Sequence, residues 1–187
     1  MILRNFFRLF LGLTTVSCAH KAATPVPASG DASAVIDFYS AREAYGEFSN
    51  FALYPIYLDG QWWPTSEHYY QAHKYEDPQL IEWVRLAPTP KEAANRGRDT
   101  SVPKRADWEQ KKDEFMEIAV SAKFQRYPEL RDLLLSTGSA QIYEHTTKDC
   151  YWGDCGNRTG KNKLGLLLEK IRAQLQKEKS RVSPGSP

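Results

Sequence analysis

Trp63 to Lys74 reads W-P-T-S-E-H-Y-Y-Q-A-H-K, which encodes the start of a helix with a carboxylate in its first turn. Pro64 ends the extended run before it, and Thr65 or Ser66 supplies a hydroxyl that can cap the orphan backbone donors. Glu67 then stands where the positive end of the helix favours an ionised carboxyl. An acid fixed in this way, with aromatic surfaces beside it, suits chemistry on a flat ring or a sugar. The plainer alternative is that Glu67 only stabilises the helix start.

Upstream, Val35–Tyr39 alternates weakly and predicts a strand, and Phe51–Leu58 with Gln61–Trp63 predicts a hairpin around Asp59-Gly60. Downstream, the helix from Ser66 is predicted to reach about Tyr75, followed by helices over Pro78–Leu86 and Pro88–Arg96, the latter stopped by Gly97. Asp107 opens the longest helix, to about Arg126, with Asp107 and Gln110 at capping-box spacing. Glu129–Ser136 predicts a further helix and Gln141–Glu144 a short strand. In the last helix, Asn162 to about Lys177, the residues Leu164, Leu167, Leu168, Ile171 and Leu175 share one side. The expected fold class is α+β, a mainly helical single domain over residues 35–176 with a small antiparallel sheet.

The ends of the 187-residue chain differ from its middle. Arg4 and Arg8 precede a short apolar run, Leu9 to Leu13, and then small residues lead to Cys18, the pattern of an export signal of the bacterial lipoprotein type with Cys18 as the lipidated residue. Thr15 stands where such signals usually carry leucine, so cleavage after Ala19 and a cytoplasmic chain with a misassigned start both remain open. On the lipoprotein reading the protein is exported and membrane-anchored through residues 1–18, residues 19–34 are a flexible linker, and residues 177–187 are a disordered tail. No apolar run approaches the ~20 residues of a spanning helix. Lys plus Arg number 25 against 23 Asp plus Glu, and Arg4 and Arg8 account for the excess, so the chain after Cys18 is formally neutral. That balance gives no argument for general nucleic-acid binding.

Two cysteines follow Cys18, namely Cys150 and Cys155. Outside the cytoplasm they can close a short disulfide loop around Gly153; two free thiols are the equal alternative. A zinc site is not expected, because no second cysteine pair or matching histidine spacing accompanies them.

Several short blocks occur in order along the chain: S-N-F from Ser49, D-G-x-x-W-P-T-S-E-H from Asp59, Y-Q-A-x-K from Tyr70, G-R at Gly97 and R-x-D-W from Arg105. They continue with K-F at Lys123, T-G at Thr137, E-x-x-x-x-D from Glu144, W-G at Trp152 and G-x-N-x-L-G from Gly160. Together, over about residues 36–175, they resemble the NADAR superfamily, the YbiA-like N-glycosidases. The resemblance implies an enzyme that hydrolyses an N-glycosidic bond. Two substrates fall within the family: phosphoribosylamino-pyrimidine intermediates of riboflavin synthesis, and ADP-ribosylated guanine. Both are normally cytosolic, which sits uneasily with an export signal. A module that binds ADP-ribose or an NAD-like ligand without turnover is the alternative.

Breaking such a bond passes through an oxocarbenium-like cation, which calls for negative charge near the anomeric carbon, an aimed water and help for the departing nitrogen. The resemblance points to Glu67 and Asp149 as the catalytic carboxylates and Trp108 as an aromatic platform, with Asp149 as base or cation stabiliser and Glu67 as its partner in proton transfer. Stacking on a base is worth about 1–3 kcal/mol against the roughly 8–23 kcal/mol of an enzymatic rate enhancement, so the acids must carry more of the chemistry. Asn50 is expected either to bond substrate or to lock its turn, and Arg98 to contact a phosphate or to remain a surface residue. Trp152 and Gly153 are expected to shape the pocket wall. Glu67 and Trp108 each follow a plausible N-cap, suggesting that two helix N-termini offer free N–H groups to a ribose phosphate. Lys123 lies fifteen residues beyond Trp108, about 22 Å along a helix, and is expected to be structural. The implied chemistry needs a small-molecule nucleotide or ADP-ribosyl substrate and neither metal nor cofactor.

Overall fold

The protein, described here over residues 34–182 of a computed structural model, is built around the helix that the opening stretch encodes. The signal segment with Cys18, nearly all of the linker, and residues 183–187 lie outside the described residues. The hairpin β2 (Ile56–Leu58) and β3 (Gln61–Trp63) is antiparallel and turns at Asp59 and Gly60, whose φ values of 53° and 77° are both left-handed. Trp63 leads into α1 (Ser66–Ala72), capped by Thr65, whose Oγ1 accepts the His68 N–H at 3.3 Å. Helices α2 (Pro78–Arg85), α3 (Pro90–Arg98) and α5 (Pro128–Ser136) each begin with a proline in the first turn, where a missing N–H costs nothing. The long helices are α4 (Trp108–Arg126) and α6 (Lys163–Val182).

The fold is α+β and mainly helical, as expected, but its second sheet differs from the simple antiparallel picture. Strand β1 (Val35–Phe38) pairs in parallel with β4 (Gln141–Glu144), Ile36 opposite Ile142. Pairing of segments so distant in sequence leaves no local turn signal. Several boundaries also move. The hairpin is shorter than Phe51–Leu58 predicts, because Ala52 turns back onto Ser49 and Pro55 interrupts the run. The last helix extends past Lys177 to Val182, since its polar end contains no breaker before Pro184. Asp107 makes no capping hydrogen bond; it ion-pairs with Arg105. Gly97 does not stop α3 but lies inside it, where a Cβ would collide with the Gln71 side chain.

Every residue of α1 is buried. It is wedged between two apolar clusters, one around Phe48, Tyr70, Met116, Phe124, Ile142 and Leu168, the other around Ile56, Trp63, Tyr69, Tyr75 and Val84. A helix enclosed on all sides must satisfy its polar residues internally. His68 does so by bonding Thr65 Oγ1 at 2.8 Å and the Ala87 carbonyl at 3.1 Å, and burial lowers its pKa. Lys123 in α4, fully buried, donates to the carbonyls of Glu47 (2.7 Å) and Ser49 (3.1 Å). It therefore ties down the turn that precedes Asn50. Among the described residues no helix is long and apolar enough to cross a membrane.

Candidate active site

Glu67 leaves the first turn of α1 and is 5% exposed. Gln71, one turn on, donates to its Oε1 at 2.7 Å. Burial raises the Glu67 pKa; the Gln71 hydrogen bond and the charges of Lys74 and Arg98 oppose that rise, while the charge of Asp149 adds to it. Glu67 and Asp149 thus share one electrostatic neighbourhood despite their distance in sequence. Asn50 adjoins them, its carbonyl receiving the Glu67 N–H at 3.3 Å. The first turn of α1 is therefore not an open anion site, because Asn50 and Thr65 already accept the N–H groups of Glu67 and His68.

Asp149 comes from the irregular segment between β4 and α6. Its Oδ1 accepts the N–H groups of Tyr151 (2.7 Å) and Trp152 (2.8 Å), a turn that fixes the carboxylate and carries Trp152 forward. Trp152 Nε1 donates to Tyr70 Oη at 3.1 Å, which anchors the loop to α1. A Cβ on Gly153 would lie 2.8 Å from the carbonyl oxygens of both Asp149 and Glu144, so only glycine lets these backbones approach. Asp154, fully buried, accepts from His145, Thr146, Gly156 and Arg158. Cys150 and Cys155 are joined in a disulfide that closes the loop beside Asp149.

A cation and aromatic rings complete one wall. Lys74 Nζ lies 5.5 Å from the ring centres of both Tyr70 and Trp108, and burial pulls its pKa down to about 8. Trp108 is 9% exposed, its ring 5.1 Å from Tyr70 and stacked on Phe115. Arg98, exposed at the end of α3, adds positive charge felt by Glu67 and Lys74.

Sequence reasoning missed Glu144. The last residue of β4, it was quoted within a motif but read as strand. Burial, with the charges of Asp149, Glu67 and Asp154, pushes its pKa up to about 8. Its Oε2 is among the buried polar atoms with no hydrogen-bond partner, as are Asn50 Oδ1, Ser66 Oγ and Gln71 Oε1. Such a gathering of unsatisfied groups around three acids marks a place where a polar ligand belongs. Gln71 and Lys74 were also passed over, although their spacing of four and seven residues from Glu67 on one helix face was legible.

The NADAR domain family matches residues 37–176 of the chain. N-glycosidase YbiA of Escherichia coli (strain K12) is 51% identical over 145 residues, covering 78% of this chain and 91% of that protein. The NMR structure of E. coli YbiA superimposes with a TM-score of 0.73 at 48% identity, covering 83% of this chain and 95% of that one. The riboflavin biosynthesis protein PYRR of Zea mays, chloroplastic, is 38% identical over an alignment of 156 positions that covers 75% of this chain and 25% of that longer protein. Fold, clustered acids and these likenesses define an enzyme of the N-glycosidase class. The chain belongs to the NADAR family.

Proposed function

We infer that Glu67 and Asp149 together hydrolyse the bond between C1′ of a phosphoribosyl or ADP-ribosyl group and the nitrogen of a base or amine. The observation that carries this is the electrostatic meeting of the two acids beside Lys74 and Arg98. Asp149, whose side chain is fixed by two backbone N–H groups, takes the proton of the attacking water and faces the developing cation. Glu67, held by Gln71, is its partner. Lys74 and Arg98 supply positive charge for the phosphate of the sugar. Asn50 Oδ1 is available to a ribose hydroxyl, while Trp108 and Trp152 close the wall with Tyr70. The substrate is a small molecule; the name of the maize relative favours a riboflavin intermediate over ADP-ribosyl guanine.

Incubation with a phosphoribosylamino-pyrimidine and with ADP-ribosyl guanosine, followed by detection of free amine or base, tests the assignment. Release that Glu67→Gln abolishes supports it; saturable binding without release points to a ligand-binding module.

For localisation, the basic and apolar start before Cys18 supports a lipid-anchored, exported protein, and the Cys150–Cys155 bridge suits an oxidising compartment. Membrane fractionation of wild type against Cys18→Ser checks this: release of the variant is expected, and a wild type found wholly in the cytoplasm rejects it.

A further inference from the structure

A cavity of about 850 Å³ opens beside Glu144, lined also by Tyr39, Arg42, Phe51, Leu53 and Pro88. Of the three clustered acids only Glu144 lines it, and Lys74 and Arg98 do not. Its walls mix flat apolar surfaces with polar side chains. A phosphorylated sugar attached to a heteroaromatic amine has a charged end and a flat end, and the bond to be broken lies between them.

The three acids differ in what reaches them. Gln71 donates to Glu67, and two backbone N–H groups donate to Asp149. No donor reaches Oε2 of Glu144. Burial and the charges of the neighbouring acids favour the protonated form of Glu144. The acids of the elements flanking β4 are engaged elsewhere: Asp37 of β1 pairs with Arg158 at 2.7 Å, and Glu169 of α6 accepts the Ile142 N–H at 2.8 Å. Asp154, below it in the loop, is saturated by four donors, His145 among them. Arg42 and Glu47 line the same cavity.

We propose that this cavity is the subsite for the departing heteroaromatic amine and that Glu144 is the general acid that protonates its nitrogen. The step rests on the N-glycosidase reading above. The C1′–N bond breaks and its electron pair stays on nitrogen, which receives the Glu144 carboxyl proton and leaves as a neutral amine. Water forms the new C1′–O bond and gives a proton to Asp149. Exchange with solvent returns Glu144 to its protonated form. Tyr39 and Phe51 hold the ring of the amine, so the aromatic contact with the base lies here rather than at Trp108.

The test has two arms. In the first, Glu144→Gln is assayed on a phosphoribosylamino-pyrimidine. It lowers kcat by about 100-fold or more with little change in KM, and the wild-type fall in rate above pH about 8 disappears. A kcat within threefold of wild type at pH 7 overturns the acid role. In the second, calorimetry measures the free aminopyrimidine and ribose 5-phosphate separately. Tyr39→Ala and Phe51→Ala weaken the aminopyrimidine by about tenfold, the size of a lost stacking contact, and leave ribose 5-phosphate unchanged. Equal weakening of both ligands, or of neither, overturns the subsite. The second arm needs no turnover, so it stands even if Glu144→Gln does not fold. Failure of wild type to release any amine rejects the substrate reading without deciding the subsite.

Discussion

Glu67 and Asp149 reach the same spot by opposite means. Glu67 rides on a helix enclosed by two apolar clusters, and its supports are core residues: Gln71, Gly97 behind it, and Lys123 holding the turn that leads to Asn50. Asp149 rides on an irregular loop with almost no apolar burial, and its supports are polar or covalent: an Asx turn, the saturated Asp154 and a disulfide. The helix arm is fixed by packing, which forms with the fold as a whole. The loop arm is fixed by contacts that can be lost one at a time while the core stays intact. A glycosidase built so should lose its two acids to different insults.

The largest effect expected is chemical and symmetric. Glu67→Gln and Asp149→Asn each reduce kcat by about 10²–10⁴-fold while the thermal midpoint changes little, since both substitutions preserve an oxygen acceptor at the bonded position. An Asp149→Asn variant with wild-type kcat would remove the loop arm from the mechanism. Next comes Asp154→Ala, which strands the N–H groups of Thr146 and Gly156 and the His145 ring and leaves Arg158 to Asp37 alone. It should cost about 3 kcal/mol in urea unfolding and most of the activity. Retention of activity by a stable Asp154→Ala protein would show that the loop does not depend on that residue.

Opening the disulfide, by reductant or by Cys150→Ser with Cys155→Ser, should cost about 2 kcal/mol and reduce kcat severalfold, because it frees the residues on either side of the Asp149 turn. Amide exchange should speed up over residues 149–156 and stay unchanged in α1. Equal acceleration in α1 would erase the contrast between the arms. A last test concerns pH and Lys123. Burial pulls its pKa down to about 7, so between pH about 7 and the ordinary value of 10.5 the unfolded chain holds a proton that the folded chain has released. Stability contributed by this group therefore rises with pH across that window, and below about pH 7 the cost of burying the charge is felt in full. Midpoints measured from pH 7 to 10 should lose that rise in Lys123→Met, with activity falling through the loosened Asn50 turn.

The helix arm was largely readable in the sequence. Thr65 caps the turn that carries Glu67, the Asp59-Gly60 pair makes the hairpin before it, and the leucines of α6 share the side that is buried. Each depends on residues within a few positions of one another. Asp107 shows where local reading fails: its spacing suits a capping box, but Arg105, two residues away, takes its carboxylate at 3.0 Å or less. The role of Gly97 likewise turned on Gln71, which no local pattern connects to it.

By itself the sequence determined the family and the α+β class and nominated the acids on α1 and the loop, because capping, turn chemistry and motif order act over short stretches of chain. Only the tertiary structure decided that Glu144 joins those acids, that Trp108 packs against Tyr70 and Phe115, and that a cavity opens beside Glu144. The parallel pairing of β1 with β4 delivers Glu144 to the cluster, and that pairing joins segments about a hundred residues apart. Burial, shared charge and unmet hydrogen bonds are properties of that meeting and belong to no single stretch of sequence.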